Sequence, residues 1–248
     1  MQRAELDTYL EHYLDVARFR DYCPNGLQVE GTARVERIVT GVTASLELLE
    51  AAIQARAHAI IVHHGYFWRG EDPRIVGIRR NRLALLLQND VNLYAFHLPL
   101  DAHGEVGNNV ALAQMLGLRV DGRCGEQDLV FYGHAENDIS IGGLALRIAQ
   151  RLGREPLVIG EASKPAQRIA WCTGAAQGCL EDAIHVGADV YVSGEVSEQT
   201  VHLARESGVA YIAAGHHATE RYGVQALGAH LAQRFDIVHL HIDIPNPV

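Results

Sequence analysis

Residues 35–65 decide the fold of this protein, and they read VERIVTGVTASLELLEAAIQARAHAIIVHHG. The first part, VERIVTGVT (35–43), is rich in β-branched residues and predicts a strand, while SLELLEAAIQARA (45–57) has the apolar spacing of a helix. The last part, HAIIVHHG (58–65), is a short continuous apolar run that is typical of a buried strand. A strand, a helix and a second strand in this order predict a βαβ unit with parallel strands.

The same alternation continues on both sides of this stretch. It predicts an α/β fold around a largely parallel sheet, and the further strands are expected at 91–99, 167–175, 189–196, 210–217 and 236–243. Residues 119–165 differ, because their apolar runs are shorter and several glycines interrupt them, apart from one predicted helix at 142–154. We interpret this part as an insertion or a linking region.

A weak internal repeat connects two parts of the chain. Ile38 with its strand has a counterpart at Ile169, and the helix at 50–53 has one at 181–184, both at an offset of 131 positions. The repeat predicts two similar α/β lobes. It does not require them, since any two strand–helix–strand units look somewhat alike.

The composition excludes several classes of protein. Apolar residues make up 48% and charged residues 21% of the 248 positions, which is the balance of a globular rather than a disordered protein. No apolar run approaches the roughly 18–20 residues of a membrane span, and the charged start MQRAELDTYLEHYLD is unlike a signal peptide. We therefore expect a soluble, cytoplasmic protein without a membrane partner.

The net charge and the spacing of the cysteines argue against further classes of protein. The formal net charge of −9 disfavours tight binding to nucleic acid, because phosphate contacts dominate that affinity. The four cysteines are scattered without a C-x-x-C pair, which argues against a thiolate zinc site and against a disulfide framework.

The 14 histidines are the unusual feature, and several of them lie where predicted strands end. In α/β sheets, ligand-binding groups collect at the carboxyl ends of the strands. A single buried histidine is more often a hydrogen-bonded core residue, but adjacent histidines followed by carboxylates predict a metal site for zinc, manganese, iron or nickel. Three strand ends carry this chemistry: His63 and His64; His97, Asp101 and His103; His216, His217 and Glu220.

The spacing of these residues favours two ions over one. Consecutive strand residues point to opposite faces, so His63 and His64 at a strand end can each reach a different ion. His216 and Glu220 are four positions apart and share one face of a helix. A carboxylate such as Asp101 or Glu220 can bridge two cations through its two oxygens.

The other histidines are given lesser roles. We interpret His97, His103 and His217 as residues that support the ligands or transfer protons rather than bind metal. Histidines within helices or the last strand are interpreted as ordinary packing residues, and these are His185, His202, His230, His239 and His241.

Five strings, IVHHGYFW, HLPLDAH, GEVSEQT, AAGHHATE and DIPNP, follow one another along the chain. With them the sequence resembles the Nif-three-like family, whose members are also called dinuclear-metal-centre hexameric proteins or GTP cyclohydrolase I type 2 homologues. The resemblance covers nearly the whole chain and is weakest at 119–165. It implies two interlinked, similar α/β lobes with a dinuclear metal site in the cleft between them, and a toroidal homohexamer built as a trimer of dimers. The family's ligand pattern maps onto His63, His64, Asp101, His216 and Glu220.

Two lobes are predicted on this basis. Residues 1–120 form the first lobe, and residues 121–248 form a second α/β region. The last part of that region, about 210–248, is expected to return to the first lobe with His216 and Glu220.

The resemblance also implies an enzyme, a hydrolase that uses two divalent ions per subunit to activate water. On a GTP cyclohydrolase route, water adds at C8 of the guanine ring of a nucleotide, the ring opens and formate leaves. His97 is the first candidate for proton transfer and Glu195 the second, because both follow strands near the ligands. Two alternatives stay open: a metal-dependent hydrolase of damaged nucleotides or phosphoesters, and a non-catalytic metal-binding ring that binds a macromolecular partner.

Overall fold

Strands and helices alternate along the chain, and the computed structural model describes all 248 residues. The first elements are α1 (Arg3–Tyr13), β1 (Gly26–Val29), β2 (Arg37–Thr43), α2 (Leu46–Gln54), β3 (Ala59–His64), α3 (Gly77–Gln88), β4 (Asn92–Ala95) and α4 (Leu98–Ala102). Next come α5 (Asn108–Leu116), β5 (Leu118–Cys124), β6 (Val130–Ala135), α6 (Ile141–Leu152), β7 (Leu157–Ile159) and β8 (Ile169–Trp171). The last are α7 (Leu180–His185), β9 (Val190–Ser193), α8 (Glu198–Ser207), β10 (Ala210–Ala213), α9 (His216–Phe235) and β11 (Val238–His241).

Contacts between residues divide the chain into two units, and each unit has its own sheet. The first unit consists of 1–107 and 223–245, and the second of 108–222 and 246–248. The sequence-based prediction instead places the lobe boundary near 120 and the return near 210. His216 and Glu220 accordingly belong to the second unit.

The sheet of the first unit has five strands in the order β1-β4-β3-β2-β11. All neighbours are parallel except β1, which pairs antiparallel with β4. Its core lies on both faces: Ile61 packs with Leu6 and Leu10 of α1, whereas Ile60 packs with Leu48 of α2. Cover on both faces explains why β3 reads as a continuous apolar run rather than an alternating one.

The second unit has a six-stranded sheet in the order β5-β6-β8-β9-β10-β7. Only β8, β9 and β10 run parallel to one another. The antiparallel pairs are β5 with β6, β6 with β8 and β7 with β10. The prediction of a largely parallel sheet therefore holds for the first unit and is wrong for the second, which is mixed.

Residues 119–165 are part of this second sheet, so the interpretation as an insertion or linking region is wrong. They supply most of β5, all of β6 and β7, and the predicted helix, which is α6. Phe131 of β6 and Leu144 and Ile148 of α6 are almost completely buried in the core of the second unit. The sequence pattern concealed this core because β7 has only three residues, too few to show a period, and only the first residue of β5 is buried.

The strand pairing reproduces the internal repeat. In the first unit Ile38 of β2 pairs in parallel with Ala59 of β3, and in the second Ile169 of β8 pairs in parallel with Val190 of β9. Both partners are displaced by the same 131 positions, so the two βαβ units share their register.

No helix of the structure combines the length and the apolar character that crossing a membrane requires.

Candidate metal-binding site

Strand β3 ends in His63 and His64, whose rings lie with their centroids 4.6 Å apart. His63 is fully buried, and its Nδ1 donates a hydrogen bond of 2.8 Å to the carbonyl oxygen of Phe96. Since a carbonyl can only accept, Nδ1 carries a proton, and in the neutral ring Nε2 keeps its lone pair. His64 Nδ1 lies 3.2 Å from the hydroxyl oxygen of Thr43.

Asp101 lies on the short helix α4 rather than in a loop after a strand. Strand β4 ends at Ala95, earlier than the predicted 91–99, because Pro99 sits in the first turn of α4, where proline favours a helix start. The Asp101 side chain is 8% exposed, and its Oδ1 lies 3.5 Å from His63 Nε2. The helix therefore aims a carboxylate at the nitrogen of His63 that keeps the lone pair.

His97 is the residue at the N-cap of α4, close to both histidines of β3. Its ring centroid lies 5.1 Å from that of His63 and 5.9 Å from that of His64. One ring nitrogen of each of these three histidines lies within 4.8 Å of one ring nitrogen of the other two. His97 Nδ1 lies 2.7 Å from Oδ1 of Asp21, a carboxylate whose side chain is 2% exposed.

In the second unit, β10 ends at Ala213 and α9 begins at His216, so that His216 and Glu220 occupy its first turns. His216 Nε2 lies 3.1 Å from Glu220 Oε2, and His216 Nδ1 lies 2.7 Å from Glu195 Oε1. Burial lowers the pKa of His216, but hydrogen bonds and negative charge from Glu220 and Glu195 outweigh burial and raise the pKa to about 9. Glu195 therefore lies on the far side of the imidazole from Glu220.

Gly174 leaves the room that Glu220 occupies. A Cβ atom at Gly174 would lie 2.0 Å from Glu220 Oε1 and 3.3 Å from His216 Nε2, and its φ of +69° also favours glycine. The backbone thus approaches the carboxylate more closely than any side chain permits.

Other histidines make contacts outside these groups. His103 Nε2 lies 2.9 Å from the carbonyl oxygen of Tyr13, His230 stacks on Tyr13, and His239 Nε2 lies 2.9 Å from the Thr40 hydroxyl. They make the hydrogen-bonded packing contacts that are usual for histidine.

Sequence reasoning missed Asp21, Thr43 and Phe96 as partners of the histidines. Asp21 is 76 positions from His97 along the chain, and two of the partner atoms belong to a backbone carbonyl and a hydroxyl. Such atoms give no pattern in a sequence. The only signal was the turn at Pro24-Asn25-Gly26, just after Asp21.

The donor set fits first-row divalent metals. Metal-binding histidines almost always present one ring nitrogen to the ion while the other is held by a hydrogen-bond acceptor such as a carboxylate or a backbone carbonyl. His63, His64 and His216 each have Nδ1 within hydrogen-bonding distance of such a partner, which leaves Nε2 as the ligand atom. Neutral imidazoles and carboxylates without thiolates suit zinc, manganese, iron and nickel.

Comparison with known proteins identifies the family. The family model described as Duf34/NIF3 (NGG1p interacting factor 3) matches residues 1–247. The chain belongs to this family. A Pseudomonas aeruginosa relative named GTP cyclohydrolase 1 type 2 homolog is 57% identical over 240 residues, which cover 96% of this chain and 95% of the relative.

Two solved structures extend the family assignment to the fold. The protein ybgI, described as of unknown function, superposes with a TM-score of 0.97 at 51% identity over 100% of both chains. A Thermus thermophilus protein superposes with a TM-score of 0.89 at 38% identity, again over 100% of both chains. The mixed α/β fold with two sheets is therefore the fold of these family members.

Proposed function

We propose that this chain is a metal-dependent hydrolase in which His63, His64, Asp101, His216 and Glu220 hold two divalent ions. The observation that carries the proposal is the tethering of the imidazoles. Fully buried His63 donates Nδ1 to a backbone carbonyl and directs Nε2 at a carboxylate, an arrangement that a packing histidine does not need. When bound, a pair of ions lowers the pKa of a water and orients it for attack.

The remaining roles belong to residues of the chain itself. His97 is the proposed proton-transfer residue, since its ring lies beside those of His63 and His64. Glu195 contacts His216 Nδ1 at 2.7 Å, so we propose that it contributes to the reaction by orienting that imidazole.

The substrate that we propose is a purine nucleotide, opened at C8 of its guanine ring as in a GTP cyclohydrolase I type 2 reaction. Its support is the name that relatives such as the Pseudomonas aeruginosa and Escherichia coli K12 proteins carry, GTP cyclohydrolase 1 type 2 homolog. The assembly that we propose is a homohexamer, which light scattering tests as six times the chain mass of 27.2 kDa.

Product identification tests the function directly. The purified chain is stripped with a chelator, reloaded in turn with zinc, manganese, iron or nickel, and incubated with GTP and a panel of damaged nucleotides and phosphoesters. Formate release with a change in purine absorbance supports ring opening, whereas phosphate release without that change replaces it by phosphoester hydrolysis. If no metal restores turnover while the hexameric ring of protein subunits binds a macromolecule, the enzyme proposal is wrong.

A further inference from the structure

The loop before β1 grips His97 from two sides. Asn25 Oδ1 accepts a hydrogen bond of 2.7 Å from the backbone N–H of His97, and Asp21 Oδ1 lies 2.7 Å from its Nδ1. Asp21 Oδ2 accepts a hydrogen bond of 2.9 Å from the backbone N–H of Leu98. The loop thus fixes the backbone and the ring of His97 at once, although the sequence marks it only as a turn.

Asp21 is saturated with donors. Its Oδ1 also accepts from the backbone N–H of Tyr22 at 2.6 Å, and its Oδ2 accepts from Asn25 Nδ2 at 2.8 Å. Four N–H groups therefore surround one carboxylate, which leaves little capacity to coordinate an ion. Burial, and then the charge of Asp21, raises the pKa of the nearby Cys23 thiol to about 12, so without a metal this thiol stays protonated.

The charge state of Asp21 decides which nitrogen of His97 carries the proton. Burial raises the pKa of Asp21, but the hydrogen bond and charge of His97, with those from Asn25 and Leu98, outweigh burial and lower the pKa to about 2. An ionised carboxylate only accepts, so Nδ1 of His97 must donate and Nε2 of the neutral ring keeps its lone pair.

The surroundings of His97 complete the geometry. Trp68 contacts the His97 ring edge to face, with the ring centroids 5.0 Å apart. Trp68 Nε1 donates a hydrogen bond of 3.2 Å to the carbonyl oxygen of Gly65. His97 keeps 15% of its side chain exposed while Asp21 behind it keeps 2%. The Nδ1 side of the ring is therefore the anchored one, and Nε2 is the ring nitrogen that Asp21 does not hold.

We propose that Asp21 is a positioning residue, which holds the His97 imidazole in the orientation and tautomer that present Nε2 as the proton acceptor for hydrolysis. This inference rests on the proposed hydrolase function. In the reaction, the attacking water forms a bond from its oxygen to the substrate and gives one proton to Nε2. The imidazolium, held by Asp21, then returns that proton to the leaving atom.

The variant that tests the role is Asp21→Asn. In this variant an amide NH2 group replaces one carboxylate oxygen. In the position of Oδ2 it would meet two donors, Leu98 N–H and Asn25 Nδ2. In the position of Oδ1 it would meet only one donor, Tyr22 N–H, once the His97 ring has moved its proton from Nδ1 to Nε2. We therefore expect Asp21→Asn to switch the tautomer of His97. The expected kinetic result is a loss of about 10² to 10⁴ in kcat with KM and bound metal unchanged.

A second aspartate–histidine pair provides the matched control. Asp121 Oδ2 lies 2.9 Å from His134 Nδ1, and both side chains are about half exposed, at 47% and 48%. Asp121→Asn removes the same charge from the same kind of pair and should leave kcat and the signals of His97 unchanged.

Two further measurements test the inference, and the first of them is independent of activity. Ring nitrogen NMR of the intact chain should show the Nδ1–H tautomer for His97 and the Nε2–H tautomer in Asp21→Asn. In a double-mutant cycle, Asp21→Asn should cost nothing further in kcat once His97→Gln is present, because Asp21 acts through His97.

The outcomes separate the two proposals. An Nε2–H tautomer in the unaltered protein overturns the positioning role, even if Asp21→Asn does not fold. Equal losses from Asp21→Asn with and without His97 also overturn it. If the tautomers behave as expected but no substrate is turned over, the hydrolase function fails and the inferred catalytic use of His97 fails with it, while the anchoring of the ring stands.

Discussion

Replacing Gly174 by alanine tests whether Glu220 is a metal ligand. The added Cβ would lie 2.0 Å from Glu220 Oε1, whereas ordinary contact begins at 3.4 Å, so the oxygen has to move by about 1.4 Å. Metal–ligand distances tolerate only about 0.2 Å. The displaced carboxylate therefore leaves the ion, and we expect the affinity for zinc to fall by at least about 10–100-fold, the range reported for disturbing even the partners of ligands.

The backbone cost must be separated from this effect. Alanine at φ +69° costs about 1–2 kcal/mol of stability wherever it occurs. Gly153 is the matched control, because its φ is +70° and nothing lies within 4 Å of an added Cβ. Gly153→Ala should lose only this backbone contribution to stability and keep its metal.

The assay combines calorimetric titration of the chelator-treated chain with zinc and urea unfolding of the metal-free variants. Glu220 contributes to metal binding only if Gly174→Ala binds zinc more weakly than Gly153→Ala while urea unfolding shows that both variants are folded. Equal zinc affinity in the two variants would refute the reasoning, since the clash would then have displaced a carboxylate that the ion does not use.

Three further predictions follow from separate parts of the structure. Asp101→Ala and Glu220→Ala should each lose bound metal, measured by elemental analysis, while circular dichroism shows an intact fold; full occupancy in both variants contradicts the ligand assignment. The pKa of Asp21 is lowered in the folded chain, so the ionised carboxylate should stabilise the fold by about 2 kcal/mol above pH 4. This stabilisation should disappear as the pH falls towards about 2. In unfolding experiments, the free energy of unfolding of Asp21→Asn should lack this loss between pH 4 and about pH 2. Leu144→Ala should cost about 2–5 kcal/mol because the residue is fully buried, and a value near zero would show that α6 is peripheral after all.

The sequence by itself determined the βαβ units and the residues with metal-binding chemistry. Continuous apolar runs such as AIIV in β3 and the constant offset between Ile38 and Ile169 are local signals, since strand and helix periods are set by neighbours along the chain. The family followed from short strings, because several unrelated ones occur in the expected order over nearly the whole length.

Only the tertiary structure decided how the second sheet is assembled and what holds each imidazole. The three-residue β7 is too short to show a period, and its antiparallel pairing with β10 depends on contacts more than 50 positions apart along the chain. The partner of His97 is likewise remote, and the partner of His63 is a backbone carbonyl that every residue possesses. Side-chain chemistry can be read residue by residue, but the protonated nitrogen of a histidine depends on the atom that folding brings to it.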